Sequence, residues 1–213
     1  MEKLVIDLSF WKGRRVFLTG HTGFKGGWIS LWLKQLGAEV CGYSLDCPTP
    51  SSIFYAAEIE KLMKYDIRGD IRDLNLLTKS MQSFQPEIVV HMAAQSLVRD
   101  SYVNPIDTYT TNIIGTVNLF EAVRNTTSVK AVLNITSDKC YENKELLKGY
   151  CETDPMGGYD PYSSSKGCAE LVSSAYRNSY FQESNVALAT ARAGNVIGGG
   201  DWSSNRIVPD AIR

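Results

Sequence analysis

The sequence lacks the features that would mark a chain for a membrane, a nucleic acid or a metal. Charge of neither sign dominates: 22 Lys and Arg stand against 23 Asp and Glu. No bulk field therefore draws the protein to nucleic acid or to an anionic lipid surface, and neither partner is expected. No run approaches the roughly 18 apolar residues that a membrane span needs. The first residues show no basic leader followed by an apolar stretch, so the default expectation is the cytoplasm. Histidine is scarce, with His21 and His91 alone. The five cysteines, Cys41, Cys47, Cys140, Cys151 and Cys168, are odd in number and form no Cys-x-x-Cys pair. No metal site is expected from that set; free thiols in a reducing compartment are. Internal repeats and low-complexity linkers are absent too.

What is present is an alternation of two kinds of segment. Short apolar, β-branched runs at 15–19, 39–43, 87–92, 131–136 and 186–191 read as buried parallel strands. Stretches at helical spacing lie between them. Trp28, Leu31, Trp32 and Leu36 line one face of a first helix, and Leu74, Leu77, Met81 and Phe84 line another. Strand and helix in repetition predict an α/β fold, a doubly wound parallel sheet of the Rossmann type. Residues 1–192 are expected to form that domain, and 193–213 the start of a substrate-binding segment. Pro209 reads as the first residue of a helix, yet only four residues follow it. One helical turn cannot stand alone, so the sequence reads as truncated within an element.

The first strand runs into Gly20-His21-Thr22-Gly23-Phe24-Lys25-Gly26 and from there into the Trp28 helix. Glycines at three-residue spacing permit a tight turn, close backbone approach to a pyrophosphate, and packing of helix on strand. The helix N-terminus adds free N–H groups and a dipole that favours an anion. A glycine triplet alone is a weak signal; between a buried strand and an amphipathic helix it is strong. His21 and Lys25 belong to the loop itself, which suits backbone geometry or phosphate contact better than chemistry.

The Gly-x-x-Gly-x-x-Gly spacing resembles that of the extended short-chain dehydrogenase/reductase family. Asp70-Ile71 resembles that family's adenine-contacting pair, and His91-Met92-Ala93-Ala94-Gln95 its strand end beneath the cofactor. Asn112 and Gly115 resemble the helix positions that steady the active site. Tyr162-Ser163-Ser164-Ser165-Lys166 matches Tyr-x-x-x-Lys. The resemblance spans about residues 13 to 213. The glycine loop, the run Thr136-Ser137-Asp138-Lys139-Cys140-Tyr141 and the run from Ala193 to Trp202 bring it nearest to the nucleotide-sugar 4,6-dehydratases, the CDP-glucose branch among them.

The resemblance implies NAD as cofactor and a nucleotide-sugar as substrate, in deoxysugar and lipopolysaccharide O-antigen synthesis. It assigns the phosphates to Gly20, Thr22, Gly23, Phe24, Lys25 and Gly26. Ser44, Asp70 and Ile71 would serve the adenosine end. Ala93, Ala94, Gln95, Asn112, Tyr162 and Lys166 would serve the nicotinamide end, and Ser96, Asn195 and Arg206 the substrate. Many members carry an acid where Ser44 stands, with Asp46 two residues on here. No arginine follows to welcome a 2′-phosphate, so NAD leads over NADP. The helices at 108–123 and 162–180 resemble the family's dimer-forming four-helix bundle, although their apolar positions equally suit sheet packing.

Tyr162 and Lys166 lie one helical turn apart on one face. A free phenol titrates near ~10, and a neighbouring ammonium favours the phenolate that could take a sugar hydroxyl proton. Ser137, at a strand end, could bond the same oxygen. Asp138 and Lys139 supply an acid and a base, as a dehydration needs; Lys139 would act as the base if burial and Lys166 depress its pKa, or else simply pair with Asp138 or a phosphate. Cys140 reads as a small buried filler. The alternatives are a 4-epimerase or decarboxylase of the same family, or an NAD-binding module without turnover.

Overall fold

The structure is a computed structural model and describes residues 7–212. Six strands, β1 (Arg15–Thr19), β2 (Glu39–Ser44), β3 (Tyr65–Arg68), β4 (Ile88–His91), β5 (Ala131–Ile135) and β6 (Ala187–Ala191), form one sheet. Its order is β3-β2-β1-β4-β5-β6, and every pairing is parallel. The direction of winding reverses between β1 and β4, so the crevice beyond their carboxyl ends is where this topology places a ligand.

Alternation along the strands splits the core between two faces. Phe17, Cys41, Val89 and Val132 join Leu77, Met81, Leu119 and Phe120 on one side. Val16, Leu18, Val40 and Val90 meet Leu33 and Ala38 on the other. The helices are α1 (Phe24–Gln35), α2 (Ile53–Ala56), α3 (Ile59–Leu62), α4 (Leu74–Phe84), α5 (Val98–Val103) and α6 (Pro105–Tyr109). A π turn, Thr110–Ile114, then leads into α7 (Gly115–Arg124). After β5 come α8 (Pro161–Tyr176), a second π turn at Arg177–Phe181, α9 (Gln182–Ser184) and, beyond β6, α10 (Ile207–Ile212).

The doubly wound sheet agrees with the sequence, with three corrections. The strand β3 was not foreseen: Tyr65-Asp66-Ile67-Arg68 is a short edge strand whose charged residues hide its pattern. In α1 the buried face is Gly26, Gly27, Ser30 and Leu33, while Trp28 and Trp32 are 48% and 59% exposed. The helix lies too close to its neighbours for an indole, since a Cβ on Gly27 would stand 2.6 Å from Ile53 Cγ2. Finally, α10 begins at Ile207, so Pro209 is its third residue and its buried one.

Candidate active site

The glycine loop leaves β1 with Gly20 at φ +77°, a left-handed turn that a side chain strains. A Cβ there would meet Ala93 N at 2.7 Å, and one on Gly26 would lie 2.0 Å from Gly20 O. Both glycines therefore serve the approach of backbone to backbone. Gly23 differs: its nearest atom would be Gly20 O at 3.4 Å, an ordinary contact. It is the N-cap of α1 with no side-chain cap, and the first helical bond there is Gly27 N to Gly23 O, 2.8 Å. The N–H groups of Phe24, Lys25 and Gly26 precede that bond and are left by helix geometry for an outside acceptor. The cradle fits a dinucleotide pyrophosphate.

The two charged loop residues part company. Lys25 is near Arg206, Asp138 and Asp201; burial, then Arg206, lower its pKa. His21 turns inward instead. It is fully buried, with Nε2 2.8 Å from Asp66 Oδ1 and its ring edge-on to Phe54. A phosphate contact for its ring is thereby corrected to a bond within the fold.

At the adenosine end Ser44 closes β2, its Oγ 2.7 Å from Thr22 Oγ1, which also donates to Leu45 O at 3.0 Å. The sequence placed no arginine here, yet β3 supplies one. Arg68 Nε is 3.2 Å from Asp46 Oδ1, and its Nη2 donates to Asp66 Oδ2 at 3.0 Å. Two carboxylates thus hold the guanidinium. Asp70 is paired with Arg72, which also reaches Asp107 at 2.7 Å; the Arg72 hydrogen bond holds the Asp70 carboxyl below its ordinary range. Ile71 is buried and fills the space opposite Gly115, where a Cβ would come within 2.5 Å of it.

Beneath the cofactor cradle, Thr19 Oγ1 accepts from Met92 N and Ala93 N, both at 3.1 Å, and pairs with His91 Nδ1 at 2.7 Å. Ala93 and Ala94 are half-buried where the chain leaves β4. Asn112 lies behind them rather than among ligand-facing groups. Its Oδ1 accepts from Gln95 N, and its Nδ2 donates to Gln95 O and Ser165 Oγ, at 2.8–2.9 Å. That amide pins the β4 loop to α8. The Gln95 side chain is likewise spent on Leu97 O and Thr108 Oγ1. Ser96 and Asn195 are exposed.

Tyr162 and Lys166 ride on the first turns of α8. Asp160 caps that helix by accepting from Ser163 N at 3.0 Å, and Pro161 fits its first position. Both side chains are buried, at 9% and 8% exposure. Tyr162 lies near Ser137, which caps the turn after β5 and whose hydroxyl donates to Asp138 Oδ1 at 3.1 Å. Burial raises the Tyr162 pKa, while Ser137 and then Arg206 pull it back down. Lys166 Nζ sits 3.4 Å from Ile135 O, and burial, then Lys25, bring its pKa to about 8. The expectation that the Lys166 ammonium, with the nicotinamide ring, favours the phenolate meets a different balance: burial raises the phenol, and Ser137 and Arg206, not Lys166, oppose it.

Asp138 and Lys139 lie on a short 3₁₀ turn and are exposed. The burial that the lysine-base hypothesis requires is thus not supplied by the described residues. Both line a cleft of about 1230 Å³ with Tyr141, Tyr150, Asp160 and Arg192, ample for a sugar ring. Missed in the sequence was Glu170, 4% exposed on α8, paired with Arg192 at 3.1 Å. Its four-residue spacing from Lys166 was the available signal; Arg192 offered none.

Fold and site together define a short-chain dehydrogenase/reductase of the extended type, with a dinucleotide cradle facing a Tyr-x-x-x-Lys helix. The chain belongs to the GDP-mannose 4,6 dehydratase family, which matches residues 17–194. It is 59% identical over 98% of its length to the CDP-glucose 4,6-dehydratase of Salmonella typhimurium, and spans 59% of that protein. The dTDP-glucose 4,6-dehydratase of Xanthomonas campestris is 30% identical over 76% of this chain and 49% of its own. The fold is shared, at a TM-score of 0.75 and 23% identity, with the DesIV double mutant, a dTDP-glucose 4,6-dehydratase from Streptomyces venezuelae with NAD and DAU bound; 92% of this chain and 60% of that one align. The chain thus spans about half to three fifths of these relatives.

Proposed function

We propose that the chain is the NAD-binding and catalytic part of a nucleotide-sugar 4,6-dehydratase acting on CDP-glucose. The observation that carries this reading is the placement of Tyr162 near Ser137 at the carboxyl end of the sheet, beside an adjacent acid and amine in an open cleft. The 59% identity to a CDP-glucose 4,6-dehydratase supports the base and the sugar. The carboxylates around Arg68 support NAD over NADP. Bound in the cradle, NAD would supply a hydride acceptor for carbon 4 and a donor for carbon 6. Gly20, Thr22, Gly23 and the N–H groups of Phe24, Lys25 and Gly26 would hold its pyrophosphate; Ser44, Asp70 and Ile71 its adenosine end; and Ala93, Ala94, Tyr162 and Lys166 its nicotinamide end.

Tyr162 would take the proton from the carbon 4 hydroxyl as its phenolate, a form that the positive nicotinamide ring of bound NAD would favour against burial, and Ser137 would hold that oxygen. The ketone so formed acidifies the hydrogen on carbon 5. Lys139, as neutral amine, removes it while Asp138 protonates the hydroxyl departing from carbon 6 as water. Lys139, exposed in the chain itself, would depend on the bound nucleotide-sugar for cover from solvent. Arg206, within electrostatic reach of Tyr162 and Lys25, serves the substrate diphosphate with Asn195 and Ser96. The segment from residue 193 begins the substrate-binding lobe. Exposed Ile106, Ile114, Leu171 and Tyr180 on α6, α8 and the two π turns suit a homodimer through paired helices. The free cysteines suit the cytoplasm.

The test is Lys139→Met, with NAD and CDP-glucose supplied and the 4-keto product followed by its absorbance in base. Product formation is expected to fall at least about 100-fold, within the usual range for a lost acid–base group. An undiminished rate overturns the base assignment.

A further inference from the structure

Glu170 is the most deeply buried carboxylate in the described chain, and the proposed chemistry makes no use of it. It lies four residues after Lys166, hence one turn on along the same face of α8. Its oxygens accept from Thr136 Oγ1, from Thr190 Oγ1 at 3.0 Å and from Arg192 Nη2 at 3.1 Å. Each partner leads elsewhere in the site. Thr136 directly precedes Ser137. Thr190 belongs to β6. Arg192 lies over the Tyr141 ring at 4.8 Å, next to the turn that carries Asp138 and Lys139. One carboxylate therefore ties together the helix of Tyr162 and Lys166, the strand end of Ser137 and the acid–amine turn.

Its charge also matters to Lys166. That ammonium is buried and faces Lys25 from the loop into α1, His91 from β4 and the Ile135 carbonyl from β5. Burial and Lys25 both disfavour its charged form; Glu170 is the carboxylate that opposes them. His91 is neutral at ordinary pH and offers no anion.

We infer that Glu170 is a positioning residue: one helical turn from Lys166, it sets the electrostatic surroundings of that ammonium and holds α8 in register with the Ser137 strand end through Thr136 and Arg192. This rests on the reading of Tyr162 and Lys166 as the proton-handling pair, so its test is read on Lys166 itself and not on turnover. The whole chain is labelled with ¹³Cε-lysine, and the Lys166 resonance, assigned by Lys166→Arg, is titrated. In Glu170→Gln the midpoint is expected to fall by about one unit, the size of effect a near charge exerts. Thr190→Val, which removes a hydrogen bond but no charge, is expected to lower the melting temperature and leave the midpoint unmoved. Where Glu170→Gln does not fold, Glu170→Gln with Arg192→Met removes both charges together and is expected to lower the midpoint by less, because the lost cation partly offsets the lost carboxylate. An unshifted midpoint in whichever of these folds, or an equal shift in Thr190→Val, overturns the inference. Absence of CDP-glucose turnover in the unsubstituted protein, with the midpoint shift intact in the variant, would instead count against the dehydratase reading.

Discussion

Two glycines three residues apart do different work, and substitution separates them. At Gly26 an added methyl meets the Gly20–His21 backbone at 2.0 to 2.8 Å, so α1 must move off the loop that leaves β1. Gly26→Ala is expected to cost about 1–3 kcal/mol, as overpacking does, seen as a lower urea midpoint. At Gly23 the backbone is ordinary, at φ −78°, and the nearest atom stands 3.4 Å away. Gly23→Ala is expected to fold with a loss below about 1 kcal/mol, the modest preference of an N-cap for glycine over alanine. It should nonetheless weaken NAD binding at least about tenfold by calorimetry, because the methyl occupies the phosphate cradle. Equal effects of the two changes on stability would contradict this division. Such residues were legible in the sequence because backbone chemistry dictates them: only glycine permits the turn, and only a four-residue spacing puts Tyr162 beside Lys166. The state of the side chains was not legible. Burial raises Tyr162 and lowers Lys166, and it depends on the packing of β5 against α8, which no spacing encodes.

At the scale of elements, α8 shows how a local signal aims a site. Asp160-Pro161 starts the helix, and Asp160 satisfies Ser163 N through one oxygen and accepts from the Ser163 hydroxyl at 2.5 Å through the other. The proposed base, Tyr162, sits within that first turn. Asp160→Ala is expected to cost about 1 kcal/mol of stability, as a lost N-cap does, and to lower product formation through a looser Tyr162. Asp160→Asn, which can still accept from Ser163 N, should recover most of the stability and is checked by the same denaturation curve. The elements misread in the sequence share one cause, competition from neighbours. The two outward tryptophans of α1 follow from glycines claiming the inner face. Trp28 instead donates to Gly199 O at 3.0 Å, tying the segment beyond β6 to the helix that carries the cradle. Strand β3 owes its place to pairing with β2, from Cys41↔Tyr65 to Ser44↔Arg68, more than to its own polar sequence.

For the molecule as a whole, the order β3-β2-β1-β4-β5-β6 buries polar groups at the centre of the sheet, and these make stability depend on pH. His91 ends β4, the strand beside the switch point, between Thr19 of β1 and Thr116 of α7. It is 2% exposed, and burial, with Lys166 adding to it, brings its pKa to about 3. The native state therefore holds the ring neutral while the unfolded chain protonates it near pH 6.5. Between those values the unfolded state binds the extra proton, so stability is fully present above pH 6.5 and is lost as pH falls. The slope is up to about 1.4 kcal/mol per unit from this one group. Burial lowers His21 as well, so it acts in the same direction. Carboxylates held low, such as Glu87 and Glu121, add their own loss only nearer their ordinary range, at more acid pH. The urea midpoint is accordingly expected to drop between pH 7 and pH 5, and His91→Asn to flatten that drop without abolishing it, because His21 remains. A midpoint that holds steady over this interval would mean that the β4 imidazole already carries its proton in the folded protein, and that the bridge from Thr19 to Thr116 is built on the charged ring.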